Sequence, residues 1–153
     1  MTTPIAAEVL QVLTNVFTEI PFNRILGIQL ELLEKNQAIV SFSMKNELIG
    51  NYLHGILHGG VISSVLDMTG GMAVMATAVY KHTHYSLPEL ATMLGKSSTV
   101  DLQINYLRPG KGSKFIAKAQ VLQSGNKISF ARMELYNHED TLIATGSGTY
   151  LVS

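Results

Sequence analysis

Apolar residues at Val9, Leu10, Leu13, Val16 and Phe17 recur at the spacing of one helical face, so residues 5–19 read as an amphipathic helix. Pro4 suits the first turn of that helix, and Pro21 ends it or follows it. Two strands are expected at 27–34 and 37–45. In the second, Ala38, Val40, Phe42 and Met44 alternate with Ser41, Ser43 and Lys45, and Glu34-Lys35-Asn36 supplies the turn between the two. Residues 46–57, with Gly50, Asn51 and Gly55, read as a loop. From 59 to 80 apolar side chains occur all round the helical wheel, so this helix must be enclosed on most sides. Residues 82–97 read as irregular, with one short helical turn at Glu89–Met93.

From residue 98 the period becomes two. Val100, Leu102, Ile104 and Tyr106 alternate with Asp101, Gln103 and Asn105, and Pro109-Gly110 forces a turn. Phe115, Ala117, Ala119 and Val121 define the next strand, Ser124-Gly125-Asn126 a tight turn, and Ala131, Met133 and Leu135 the strand after it. Asn137-His138-Glu139-Asp140 turns the chain into a last strand at 141–151. These four strands are expected to form an antiparallel meander. One helix that needs cover on nearly every side is best covered by a curved antiparallel sheet, which predicts an α+β hotdog architecture. No linker, repeat or low-complexity tract divides residues 1–153, so a single domain is expected.

Composition narrows the function. The chain is 46% hydrophobic and 14% charged, with 11 basic and 11 acidic residues and a formal net charge of +0. That balance gives no global attraction to nucleic acid or to an anionic membrane, and it favours self-association. Zero cysteines exclude disulfides and thiolate metal sites and agree with a cytoplasmic setting. The opening Met1-Thr2-Thr3-Pro4-Ile5 lacks a basic region, and Glu8 interrupts the apolar run, so no signal peptide is read. The apolar stretch near 56–80 carries His58, Asp67 and four glycines, and reads as a buried helix rather than a membrane span.

The chemistry concentrates at His58-Gly59-Gly60 and at Asp67, nine residues after the histidine. Backbone N–H groups at a helix start hold developing negative charge, and a carboxylate in apolar surroundings can serve as a base. Together they suggest acyl transfer or hydrolysis. Nine helical residues advance about 13 Å and about half a turn, so one helix cannot bring both ends to one carbonyl. An antiparallel neighbour helix would bring its own Asp67 beside the first helix start, which predicts a dimer with two shared sites. His54 and His58 stand four apart, but Gly55 disfavours the helix that would make them zinc ligands, and no metal is expected.

The run Asn51-Tyr52-Leu53-His54-Gly55-Ile56-Leu57-His58-Gly59-Gly60-Val61, with Asp67 beyond it, resembles the PaaI-like hotdog acyl-CoA thioesterases. Glu47 to Gly71 is especially similar to the bacterial YigI-type group of medium- and long-chain enzymes. Thr99 to Gly110 resembles the family's strand after the helix, and Gln123 to Lys127 its following hairpin. The resemblance spans roughly residues 22–151. It implies that Asp67 attacks the thioester or activates water, and that the Gly59 amide polarises the carbonyl. It implies that His58 and Gly60 shape the turn, that Thr99 positions water, and that Asn51 is the loop asparagine, although several relatives place theirs where this chain has Tyr52. It also implies that Gly71 stands where some relatives carry a hydroxyl residue. Homodimers, paired in many relatives into tetramers, are implied as well.

The substrate would be an acyl-CoA, with coenzyme A entering only as part of it and no separate cofactor. Arg108, Lys111, Lys114, Lys118 and Lys127 are candidates for its phosphates, and Met68, Met72 and Met75 for the pantetheine and acyl arms. Two other readings use the same residues: a non-catalytic acyl-CoA sensor, and a hotdog hydratase or dehydratase. The second is weakened because such enzymes usually add a histidine base, whereas this helix offers only Asp67 in its interior.

Overall fold

The computed structural model describes residues 6–152, so the expectations for Pro4 and the rest of the first five residues lie outside it. Helix α1 runs Ala6–Glu19 and buries Val9, Leu10 and Phe17. A second helix that the hydrophobic pattern does not predict, α2 (Pro21–Leu26), starts on Pro21. Proline fits a first helical turn because the N–H it lacks would have no intrahelical partner. Gly27 ends α2 with φ 71°, its N–H donating back to Arg24. The buried Asn23 amide donates to the Phe17 carbonyl at 3.0 Å, locking the α1–α2 corner.

Strands β1 (Gln29–Glu34) and β2 (Gln37–Ser43) form the expected hairpin, with Asn36 at φ 69° in its turn. The expected loop at 46–57 holds a 3₁₀ turn (Asn46–Leu48) and a short hairpin of β3 (Ile49–Asn51) and β4 (Ile56–Leu57). Central helix α3 spans Gly59–Lys81. The irregular stretch is mostly helix: α4 (Leu87–Gly95) opens on a capping box in which Ser86 and Glu89 bond each other's backbone N–H. Strands β5 (Ser98–Tyr106), β6 (Lys114–Ser124), β7 (Ile128–Asn137) and β8 (Leu142–Leu151) complete the chain.

All six long strands form one sheet, in the order β1-β2-β6-β7-β8-β5. The expected four-strand meander is therefore corrected. β6, β7 and β8 follow one another, but β5 pairs with β8 at the far edge, and β6 pairs with β2 instead. The reason is that β6 is the better fit to the middle. It buries Phe115, Ala117 and Ala119 on one face, and Phe115 stacks on Phe42 of β2 with ring centres 5.2 Å apart.

Helix α3 lies in the concave face of this sheet, with Val65, Leu66, Ala73, Val74 and Val79 buried. Among the described residues it is the one helix long and apolar enough to cross a membrane, and the core accounts for that apolarity. β8 lets it approach closely. Gly146 and Gly148 face it, and a Cβ at Gly146 would stand 2.9 Å from Ile104 Cδ1 and 3.5 Å from Leu66 Cδ1. Edge strand β5 is the exception to good cover: Val100 and Tyr106 remain 58% and 54% exposed despite the clean alternation.

Candidate active site

His58 caps α3. Its backbone is extended at φ −63°, ψ 136°, and its Nδ1 accepts the Gly60 N–H at 2.8 Å. That acceptor role leaves the proton of a neutral ring on Nε2. Two neighbours hold the cap. The His58 N–H donates to Leu48 at 2.8 Å, and Gly50 lies so close that a Cβ there would stand 2.5 Å from His58 Cα. The Tyr106 hydroxyl donates to the Gly59 carbonyl at 3.1 Å. Among the described residues nothing accepts from the Gly59 N–H, so this donor points outward at the positive end of a 23-residue helix.

Asp67 lies two turns further along, half-buried rather than enclosed in apolar side chains. Its Oδ1 accepts from the Thr99 hydroxyl at 2.8 Å. The two meet because of a bulge. Leu102, Ile104 and Tyr106 pair with Gly148, Gly146 and Ala144 on the helix-facing side of β8, so even positions face the helix. Strict alternation would turn Thr99 away with Asp101 and Gln103. Between Thr99 and Asp101 the register shifts by one, Val100 is left over, and Thr99 pairs with Tyr150. Thr99 therefore faces Asp67.

Tyr150 approaches the same turn from the neighbouring strand. Its hydroxyl donates to the Asp67 carbonyl at 2.9 Å. Burial, and then the adjacent Asp67 carboxylate, push this phenol well above the ordinary tyrosine range, so it stays a donor.

A cavity of about 410 Å³ opens beside these groups. Asp67, Thr99 and Tyr150 sit in its wall with Gly71, and Leu13, Val16 and Phe17 of α1 roof it together with Ile20 at the α1–α2 corner. Met68, Met72 and Met75, the candidates for an apolar arm, line its α3 side, and Leu94 lines the α4 side. Its size falls in the ordinary range for a small-molecule site. The Ser97 hydroxyl, also in the wall, is buried without a partner among the described residues.

The other candidates are dispersed. Asn51 Oδ1 accepts the Leu53 N–H at 3.0 Å, so this side chain organises its own turn. Arg108 donates to the Leu142 carbonyl at 2.8 Å, at the Gly59 end of the sheet. Lys127 lies at the other end, where its carbonyl accepts from Val152 at 2.9 Å. The length of β8 separates them by about 30 Å, so they do not meet one ligand within a protomer. Lys118 lies over the Tyr136 ring, 5.1 Å from its centre. No three His, Asp or Glu side chains gather as a metal site among the described residues. Tyr150 is the site residue that sequence reasoning misses. Its signal is Gly148-x-Tyr150, where a glycine on the same strand face clears space for the ring.

Residues 54–144 match the thioesterase superfamily. The medium/long-chain acyl-CoA thioesterase YigI of Escherichia coli is 40% identical over 148 residues, covering 96% of each chain. A Shewanella oneidensis crystal structure described as related to the thioesterase superfamily superposes with a TM-score of 0.94. It is 40% identical and covers 99% of this chain and 100% of its own. The E. coli PaaI protein, 18% identical with a TM-score of 0.78 over 98% of this chain and 96% of its own, shares the fold.

Proposed function

The chain belongs to the thioesterase superfamily, and from that membership we propose that it hydrolyses acyl-CoA thioesters with Asp67 of one protomer and the Gly59 amide of a second. The observation that carries this reading is the Asp67 carboxylate, tethered by Thr99, in the wall of an apolar cavity. The acyl chain takes the cavity, against the three methionines and the α1 roof. The thioester carbonyl lies at its mouth.

The Gly59 N–H polarises that carbonyl and holds the oxyanion that forms on attack. One such donor contributes about 3 kcal/mol to a transition state. Asp67 either attacks the carbonyl carbon or takes a proton from water that does, and both routes develop the same charge on the same oxygen. A C–O bond forms, the C–S bond breaks, and the thiolate leaves and takes up a proton; on the direct route water then cleaves the acyl–Asp67 anhydride, releasing the free acid and restoring the carboxylate. Thr99 keeps the carboxylate aimed. His58 and Gly60 hold the helix start open by satisfying the neighbouring N–H within the turn. No metal or separate cofactor enters this scheme.

Two observations support sharing between protomers. Gly59 and Asp67 are eight residues apart on one helix, about 12 Å along its axis. And β5 is an unpaired edge among the described residues, with Val100 and Tyr106 on it and Leu107 just past it exposed at 58%, 54% and 49%. An antiparallel copy pairing there brings its Tyr106 and Gly59 toward Thr99 and Asp67. It also brings Arg108 of the partner to the end that carries Lys127, so the two cations flank one coenzyme A. A homodimer, or a tetramer built from two dimers, acting in the cytoplasm completes the reading.

The test is thiol release from a panel of acyl-CoAs. Wild-type protein turns over, whereas Asp67→Asn loses activity with an unchanged circular dichroism spectrum. Wild-type turnover in that variant overturns the assignment.

A further inference from the structure

Three glycines surround the Tyr150 ring, Gly70 and Gly71 in one turn of α3 and Gly148 in β8 itself. A Cβ at Gly148 would stand 2.6 Å from the ring and 2.7 Å from its hydroxyl; one at Gly70 would collide with the hydroxyl; one at Gly71 would stand 3.6 Å away. The ring is 4% exposed and lies in a slot between β8 and α3, with its hydroxyl on the Asp67 carbonyl at 2.9 Å. That carbonyl is in the backbone of the α3 turn that carries the carboxylate. Across the β5–β8 ladder Tyr150 pairs with Thr99, whose hydroxyl holds the carboxylate itself.

We propose that Tyr150 is a positioning residue for the hydrolysis: it pins the backbone of Asp67 while Thr99 pins the side chain, and Gly70 and Gly148 exist to admit it. This rests on the catalytic reading of Asp67. A hydroxyl donating to a helical carbonyl adds nothing the helix needs, because that carbonyl already takes the N–H four residues on. What it adds is a fixed distance between one helical turn and the sheet. Reacting groups lose rate steeply when misplaced by about 1 Å. Apolar packing of a phenylalanine ring would fill the slot equally well, so stability alone does not require the hydroxyl.

The test is Tyr150→Phe, which keeps the ring and removes the donor. The expected result is a kcat about tenfold lower with KM unchanged, in line with losing one hydrogen bond. The melting temperature should stay within about 4 °C. Gly70→Ala, which displaces the hydroxyl, should lower kcat similarly alone and add little in the Tyr150→Phe background. Wild-type kcat in Tyr150→Phe, or fully multiplicative losses in the double variant, would overturn the proposal. Asp67→Asn run alongside separates the two failures. Turnover retained there defeats the catalytic reading, whereas turnover lost there with Tyr150→Phe at wild-type kcat defeats only the positioning role.

Discussion

Thr99 Oγ1 donates to Asp67 Oδ1 at 2.8 Å across 32 residues of sequence, from the edge strand to the central helix. A hydrogen bond to a charged acceptor is worth about 1.5–3 kcal/mol, and this one sits where β5 bulges. Thr99→Val keeps the shape and deletes the donor. Activity should fall about ten- to a hundredfold in kcat, with KM close to wild type and a melting temperature lower by a few degrees. Steady-state kinetics on one saturating acyl-CoA reads this directly, and Thr99→Ser should recover most of the loss.

The Gly59 amide can be removed with little strain. Its position is the first of α3, which tolerates proline, and His58 before it already has the extended backbone that a following proline demands. Gly59→Pro should cost about 10²–10³ in kcat, the loss expected for one oxyanion donor. Gly59→Ala keeps the N–H, and its Cβ would stand 3.4 Å from Tyr106 Cε1, so it should stay within a few-fold of wild type. Equal activity in the two variants would remove the amide from the scheme.

Sharing of the site has its own assay. Asp67→Ala and Gly59→Pro protomers, each inactive alone, should regain activity when co-refolded in equal amounts. Random pairing gives half heterodimers with one intact site of two, so recovery should approach about a quarter of wild type. No recovery with heterodimers verified by native mass spectrometry would place both groups in one protomer.

Gly71 tests the cavity. It lines the wall with open space beyond it, 3.6 Å from the nearest Tyr150 ring atom for an added Cβ. Gly71→Leu should gain up to about 1 kcal/mol of helix stability. It should also cut hydrolysis of long aliphatic acyl-CoAs while short ones are still turned over. A chain-length series with paired thermal melts checks both signs.

Tyr150 also sets an alkaline limit. Its phenol ionises only far above its unfolded value of 10.0, so the folded state keeps a proton that the unfolded chain releases. Stability contributed by this group is intact below pH 10 and is lost above it, at up to about 1.4 kcal/mol per pH unit. Urea unfolding at pH 8 and 11 should show a smaller alkaline loss in Tyr150→Phe than in wild type.

Most of the fold could be read from local patterns. The buried alternation of Phe115, Ala117 and Ala119 and the all-round apolarity of α3 each follow from a period and its burial. The strand order could not be read, because a period says which face is apolar and not which neighbour it meets. The helix at Pro21–Leu26 was masked by its short length and by Pro21, which serves as either a stop or a start. At the site, His58, Gly59 and Asp67 stand out in one stretch of chain. Tyr150 does not, since its partner is 83 residues away and its environment is made of absent side chains at Gly70 and Gly148.

The extra residue at Val100 makes hydroxyl placement a matter of counting. Adding one residue between Thr99 and Asp101 with the bulge kept would rotate Thr99 to the far side of the sheet, with every atom of its side chain unchanged, whereas deleting Val100 would leave it opposite Tyr150 and facing Asp67. A homologue could keep both the threonine and the aspartate in its alignment and still have lost their bond, so a length change there carries more meaning for activity than many substitutions.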